Sequence, residues 1–176
     1  MIERKEFYFV RHGQTDHNKY NLTTDCGDIP LNDTGREQAL FIQPIVSTLP
    51  VKVLCHSPLK RAKETKEIIS SNLQVDHLEI PHLTECNGKV WLEMTRLGKD
   101  AHLKAKGDVA AFIEQVRKGI NQALENPGPV LIVAHGGVHW AMCCLMEVEH
   151  NWMIDNCLPV HFTIGKNGRW HAKKLI

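Results

Sequence analysis

The sequence predicts an α/β fold: a doubly wound, three-layer αβα sandwich whose mostly parallel sheet carries an antiparallel edge hairpin. Three observations point there. Short unbroken apolar runs, FYFV at 7–10, VKVLC at 51–55 and PVLIVA at 129–134, suit strands covered on both faces. Stretches with helical spacing alternate with these runs, as a parallel sheet with crossover helices requires. Near the C-terminus, Lys166-Asn167-Gly168 separates two strand-like runs, 160–164 and 169–175, and an Asn-Gly pair in that position is a hairpin signal.

Taken in order, the first strand covers 6–10, and polar loop residues follow at once. A helix over 34–49 comes next, with Pro44 expected to kink or split it. The strand at 51–55 leads to Ser57-Pro58, which reads as an N-cap followed by a proline at the first helical position, opening a helix over 59–71. A weaker strand is expected at 75–80. The segment 108–125 places Val109, Phe112, Ile113, Val116, Ile120, Ala123 and Leu124 on one stripe and is predicted helical. The strand at 129–134 precedes a buried-looking helix over 136–148. No repeat, linker or low-complexity stretch divides the chain, so residues 1–176 are expected to form a single domain.

Composition narrows the function. A net charge of +1 argues against a dedicated nucleic-acid binder, which needs a surplus of cations, but permits a local cluster that binds a small anion. No stretch approaches the roughly 20 apolar residues of a membrane span, and the apolar run after the early charges is too short for a signal peptide. Six cysteines, Cys26, Cys55, Cys86, Cys143, Cys144 and Cys157, include no C-x-x-C pair; reduced thiols in a cytoplasm are the expectation. Eleven histidines show no paired ligand spacing, so neither a metal nor a cofactor is expected.

The chemistry-bearing residues follow strands, where open α/β sheets bind ligands. Arg11-His12-Gly13-Gln14-Thr15 follows the first, His56 to Arg61 the second, and His135-Gly136-Gly137 the third. Two histidines and two arginines are thereby expected to converge on one crevice. Guanidinium forks bind phosphoryl oxygens in pairs, and a neutral imidazole nitrogen can attack phosphorus and hold the group covalently. Backbone N–H groups of Gly136 and Gly137, opening a helix, could point at an anion. No Walker-type loop supports nucleotide-driven transfer.

At this point the chain resembles the histidine phosphatase superfamily, also called phosphoglycerate-mutase-like. The resemblance rests on five blocks in family order: 11–15 with Asn18, 28–39, 57–65, Leu83-Thr84-Glu85 with Gly88, and 133–137. It implies His12 as nucleophile, with Arg11, Arg61 and His135 as walls of a phosphate pocket and Asn18 as a further donor. It implies Glu85 as the acid that protonates the leaving oxygen and then serves as base toward water. Family members run this reaction without a metal. Asp28 and Asp33 read as turn and cap residues, Lys60 and Lys63 as a solvated face. His56, His139, His150, His161 and His171 read as structural or surface residues, and Trp91, Trp140, Trp152 and Trp170 as core.

The run Gly88 to Met94 departs from the family's W-E-G pattern, and only fifty positions separate Glu85 from His135. A small lid is therefore expected, which favours hydrolysis over mutase transfer, because a mutase must keep its intermediate from water. The expected partner is a small phosphorylated substrate or a phosphoprotein, with selectivity set by the segment 92–107. Lys99, Lys104 and Lys106 there read as a solvated charged loop. A phosphoglycerate-type mutase and an inactive phosphoanion-binding module are the alternatives.

Overall fold

A computed structural model describes residues 1–20, 22, 27–148 and 153–176. Cys26, His150 and Trp152 lie outside the described residues. Six strands form one sheet: β1 (Phe7–Arg11), β2 (Val53–His56), β3 (Asp76–Glu79), β4 (Val130–Ala134), β5 (Pro159–Ile164) and β6 (Trp170–Lys174), in the order β3-β2-β4-β1-β5-β6. Strands β3, β2, β4 and β1 run parallel; β5 and β6 pair antiparallel at the edge beside β1. The expected α/β sandwich and edge hairpin are both present.

Alternation along β1 explains the layers. Phe7 and Phe9 enter one apolar cluster with Val116 and Ile120; Tyr8 and Val10 enter the other with Ala39, Ile42 and Ile69. Each strand residue points to the face opposite its neighbour. Helices α2 (Asp33–Val46) and α3 (Lys60–Ile69) therefore cover one face. Helices α4 (Gly88–Leu97), α5 (Ala101–Lys104), α6 (Gly107–Leu124) and α7 (Gly136–Met146) cover the other. Helix α1 (Asp16–Lys19) is a single turn. Full burial of a side chain such as Phe9 or Ile120 contributes about 1.5–3 kcal/mol, so these stripes hold the layers together.

Two local expectations change. Pro44 does not split α2, because it sits in the last turn and the helix runs on to Val46. Ser57 is not the cap of α3. The helix starts at Lys60 with Leu59 in the cap position, and the amide of Lys60 donates to Asp28 Oδ1 at 2.6 Å. Asp28 thus satisfies a helix-end donor from 32 residues upstream, and the Ser57 hydroxyl is left for the site below. Strand β3 is four residues long and largely exposed, as its weak pattern implied. The described cysteines Cys55, Cys86, Cys143, Cys144 and Cys157 are free thiols. No helix among the described residues is long and apolar enough to cross a membrane.

Candidate active site

The parallel register sets the site. Arg11 of β1 lies opposite Ala134 of β4, so the next residues, His12 and His135, emerge side by side with ring centroids 5.1 Å apart. The His12 amide donates to the Ala134 carbonyl at 3.0 Å, which carries the β1–β4 pairing one residue past the strand. Beyond His12 the chain turns against α2. A Cβ on Gly35 would meet the Gln14 carbonyl oxygen at 2.1 Å, so only glycine allows the loop and helix to approach this closely. The Gly13 amide donates to Thr65 Oγ1 at 3.0 Å, and Asn156 Nδ2 donates to the His12 carbonyl at 2.8 Å. The His12 loop is pinned from both sides.

The His12 ring has a defined tautomer. Nδ1 lies 2.7 Å from the Gly13 carbonyl oxygen, which can only accept, so Nδ1 carries the proton. Nε2 then holds a lone pair, and Arg61 Nε donates to it at 3.3 Å. Burial, then the positive charges of Arg11 and Arg61, hold the His12 pKa well below the ordinary histidine value. Near neutral pH His12 is a neutral imidazole whose Nε2 carries the lone pair.

His135 is also buried and held well below the ordinary value, by burial first and then by His12, Arg61 and Arg11. Its setting differs. Nε2 lies 2.7 Å from Ser57 Oγ, and Nδ1 is buried with no hydrogen-bond partner among the described residues. His135 sits behind His12 and does not line the cavity surface.

The cavity encloses about 410 Å³. Arg11, His12 and Arg61 form its floor, and Asn18, Glu85 and Gly136 also line it. Arg11 NH1 donates to the Ile154 carbonyl at 2.7 Å, while its buried Nε has no hydrogen-bond partner among the described residues. Burial lowers the Arg11 pKa from its usual value, and Glu85 and Asp155 oppose that shift; guanidinium remains charged at any physiological pH. Arg61 NH1 donates to the Gly27 carbonyl at 3.2 Å. Unpaired donors this deeply buried are costly and fit a site that receives an anion.

Glu85 faces this floor. Its carboxylate accepts from the backbone amides of Gly137 and Cys86, both at 3.0 Å, so it caps the N-terminus of α7. A Cβ on Gly137 would meet Glu85 Oε1 at 2.2 Å, which makes this glycine a seat for the carboxylate. The Gly137 amide, expected to face an anionic ligand, is thus already engaged by Glu85. Asn18 completes a capping box with Thr15, and its Oδ1 also receives Asn156 Nδ2 at 3.4 Å, so its amide nitrogen is the end left for a ligand.

The outer wall was not foreseen. Trp91, assigned to the core from sequence, lines the cavity beside Leu92, Met153 and Leu22, and it packs edge-to-face on Trp140 at 5.7 Å. The reason is the first turn of α4: Asn87 caps it through the Val90 amide at 2.9 Å and turns Trp91 toward the site. The segment 92–107 folds mostly into short helices, and only Leu92 of it lines the cavity. Lys104 pairs with Asp100 at 2.9 Å, and Lys99 and Lys106 also lie off the cavity wall. Asn156, Thr65 and Ser57 were missed as site residues as well: Ser57 and Thr65 lie in the block 57–65 but were given no role there, and Asn156 is an isolated polar residue with no periodic or motif signal. Among the described residues no group of three or more His, Cys, Asp or Glu side chains is placed to hold a metal.

Residues 7–175 match the model of the histidine phosphatase superfamily, branch 1. The chain belongs to this superfamily. It is a histidine-phosphatase-type enzyme. An uncharacterized phosphatase of Bacillus subtilis, PhoE, is 32% identical over 162 residues, which cover 85% of this chain and 83% of that protein. Among solved structures, the phosphoserine phosphatase of Entamoeba histolytica superposes with a TM-score of 0.71 at 18% identity, covering 96% of this chain and 94% of that one. The alpha-ribazole phosphatase of Shigella flexneri superposes with a TM-score of 0.70 at 18% identity, covering 97% and 96%. At these identities the two superpositions establish a shared fold.

Proposed function

We propose that the protein hydrolyses phosphomonoesters in two steps through a covalent phosphohistidine on His12. His12 Nε2 attacks phosphorus as the bond to the leaving oxygen breaks. Glu85 gives that oxygen a proton, so the alcohol departs neutral. The Glu85 carboxylate then takes a proton from water, the water oxygen attacks phosphorus, and the N–P bond breaks to release inorganic phosphate. Arg11 and Arg61 neutralise the charge on the equatorial oxygens in both steps. His135, tied to Ser57, holds a neutral ring behind the nucleophile, with its Nδ1 available to donate; Asn18 Nδ2 and the Gly136 backbone are further contacts for the phosphoryl group.

The observation that carries this reading is the tautomer lock on His12: Nδ1 fixed on the Gly13 carbonyl, Nε2 unprotonated beside Arg61. The substrate is a small phosphorylated molecule in this reading. Phosphate release from an aryl phosphate in the presence of EDTA tests the mechanism. Activity present in wild type and absent in His12→Ala is the expected result; equal turnover in both proteins would overturn it. Transfer of the phosphoryl group to a second hydroxyl of the substrate, instead of to water, would make the enzyme a mutase on the same residues.

A further inference from the structure

The floor and the outer wall of the cavity differ in chemistry, and the wall says what leaving group fits. The floor cations are already committed. Arg61 spends Nε on His12 and NH1 on Gly27, and Arg11 spends NH1 on Ile154. Both side chains line the cavity beside His12. Beyond them the wall is Trp91, Leu92, Met153 and Leu22. Among the described lining residues no lysine and no third arginine is present, and His17 is the other side chain there that could carry positive charge. The chain segments outside the described residues, 21, 23–26 and 149–152, contain no lysine or arginine.

A second phosphate or a carboxylate on the substrate would therefore leave water without a cationic partner, which is unfavourable. An apolar leaving group would bury area against Trp91, whose ring is already held by Trp140 and loses little freedom on binding. The cavity, at about 410 Å³, falls in the range of sites that enclose small organic ligands.

We infer that the enzyme selects phosphomonoesters whose leaving group is apolar and bears no second anionic group, with Trp91, Leu92 and Met153 as the selecting side chains. This rests on the phosphoryl chemistry proposed above for the same cavity. The test compares kcat/KM for benzyl phosphate, phosphoserine and 3-phosphoglycerate at pH 8; all three release an alkyl alcohol. Benzyl phosphate is expected to be preferred by about tenfold or more, the scale on which apolar pockets discriminate. Leu92→Arg, at a half-exposed position that tolerates a charge, is expected to shrink that preference at least as much. A wild-type preference for phosphoserine or 3-phosphoglycerate overturns the inference, and an unchanged ratio in Leu92→Arg removes Leu92 from it. Phosphorylation of His12 is followed with each donor in the same reactions: phosphohistidine with the wrong preference condemns only the substrate class, whereas its absence with every donor condemns the underlying mechanism as well.

Discussion

His12 and His135 end neighbouring parallel strands and share a chemical state, yet their partners differ. Both are buried, both are kept neutral by burial and by Arg11 and Arg61, and their rings stand 5.1 Å apart. His12 fixes its proton on a backbone carbonyl and turns an unprotonated Nε2 to the cavity. His135 spends Nε2 on the Ser57 hydroxyl and stays behind the cavity surface. Burial and charge make a histidine neutral; the hydrogen bond on the far nitrogen decides which atom can react. The comparison teaches that a strand-end histidine acquires its role from the partner one residue or one helix away.

Substitution separates the two most strongly. His12→Ala is expected to lower kcat by about 10⁴-fold or more and to remove any phosphoenzyme, because the covalent route has no other nucleophile. His135→Ala is expected to lower kcat by about 10²-fold, the scale of one lost hydrogen-bond donor beside the nucleophile, while phosphoenzyme still forms. Loss of phosphoenzyme in both variants would erase the distinction. Rapid-quench kinetics makes the comparison.

Next in size is the pH profile of His12. Its depressed pKa puts the acid limb of kcat/KM due to this residue well below the ordinary histidine range. Arg61→Gln removes one of the charges that depress it, so the limb is expected to move to higher pH, together with a loss of about 10²-fold in kcat. An unmoved limb would mean that Arg61 does not set the state of His12.

The smaller effects concern stability. Ser57→Ala leaves His135 Nε2 buried without its partner and is expected to cost about 1–3 kcal/mol in denaturant titrations. Both histidines have folded pKa values below their unfolded one. Each unfolded chain therefore binds protons that the folded chain refuses, and stability is full above about pH 6.5 and falls as pH drops below it. The slope is up to about 1.4 kcal/mol per pH unit for each histidine, and His12→Gln is expected to flatten it. An equal slope in that variant would show that the burial of His12 does not govern it.

Much of the floor was legible in the sequence because its residues sit at fixed offsets from buried strands. Apolar runs such as PVLIVA mark a strand, and the parallel register then brings Arg11-His12 beside His135-Gly136 without further information. Arg61 was legible through its block at the start of α3, although the cap was misread: Ser57 faces His135, and Asp28 caps the helix from a distant loop. Long-range capping of this kind leaves no local pattern. The outer wall was illegible for a related reason. Trp91 has the composition of a core residue, and only the three-dimensional turn set by Asn87 brings it to the cavity. Asn156, which fixes the His12 carbonyl from 144 residues away, is likewise an isolated polar residue with no signature.

The most direct test of the central claim is to quench the enzyme during turnover with a phosphate ester and locate the phosphoryl group by peptide mass spectrometry under alkaline conditions. The account predicts one acid-labile phosphoryl group on His12, absent from His12→Ala and present in His135→Ala. Turnover with no phosphorylated residue, or with the group on His135, would contradict it.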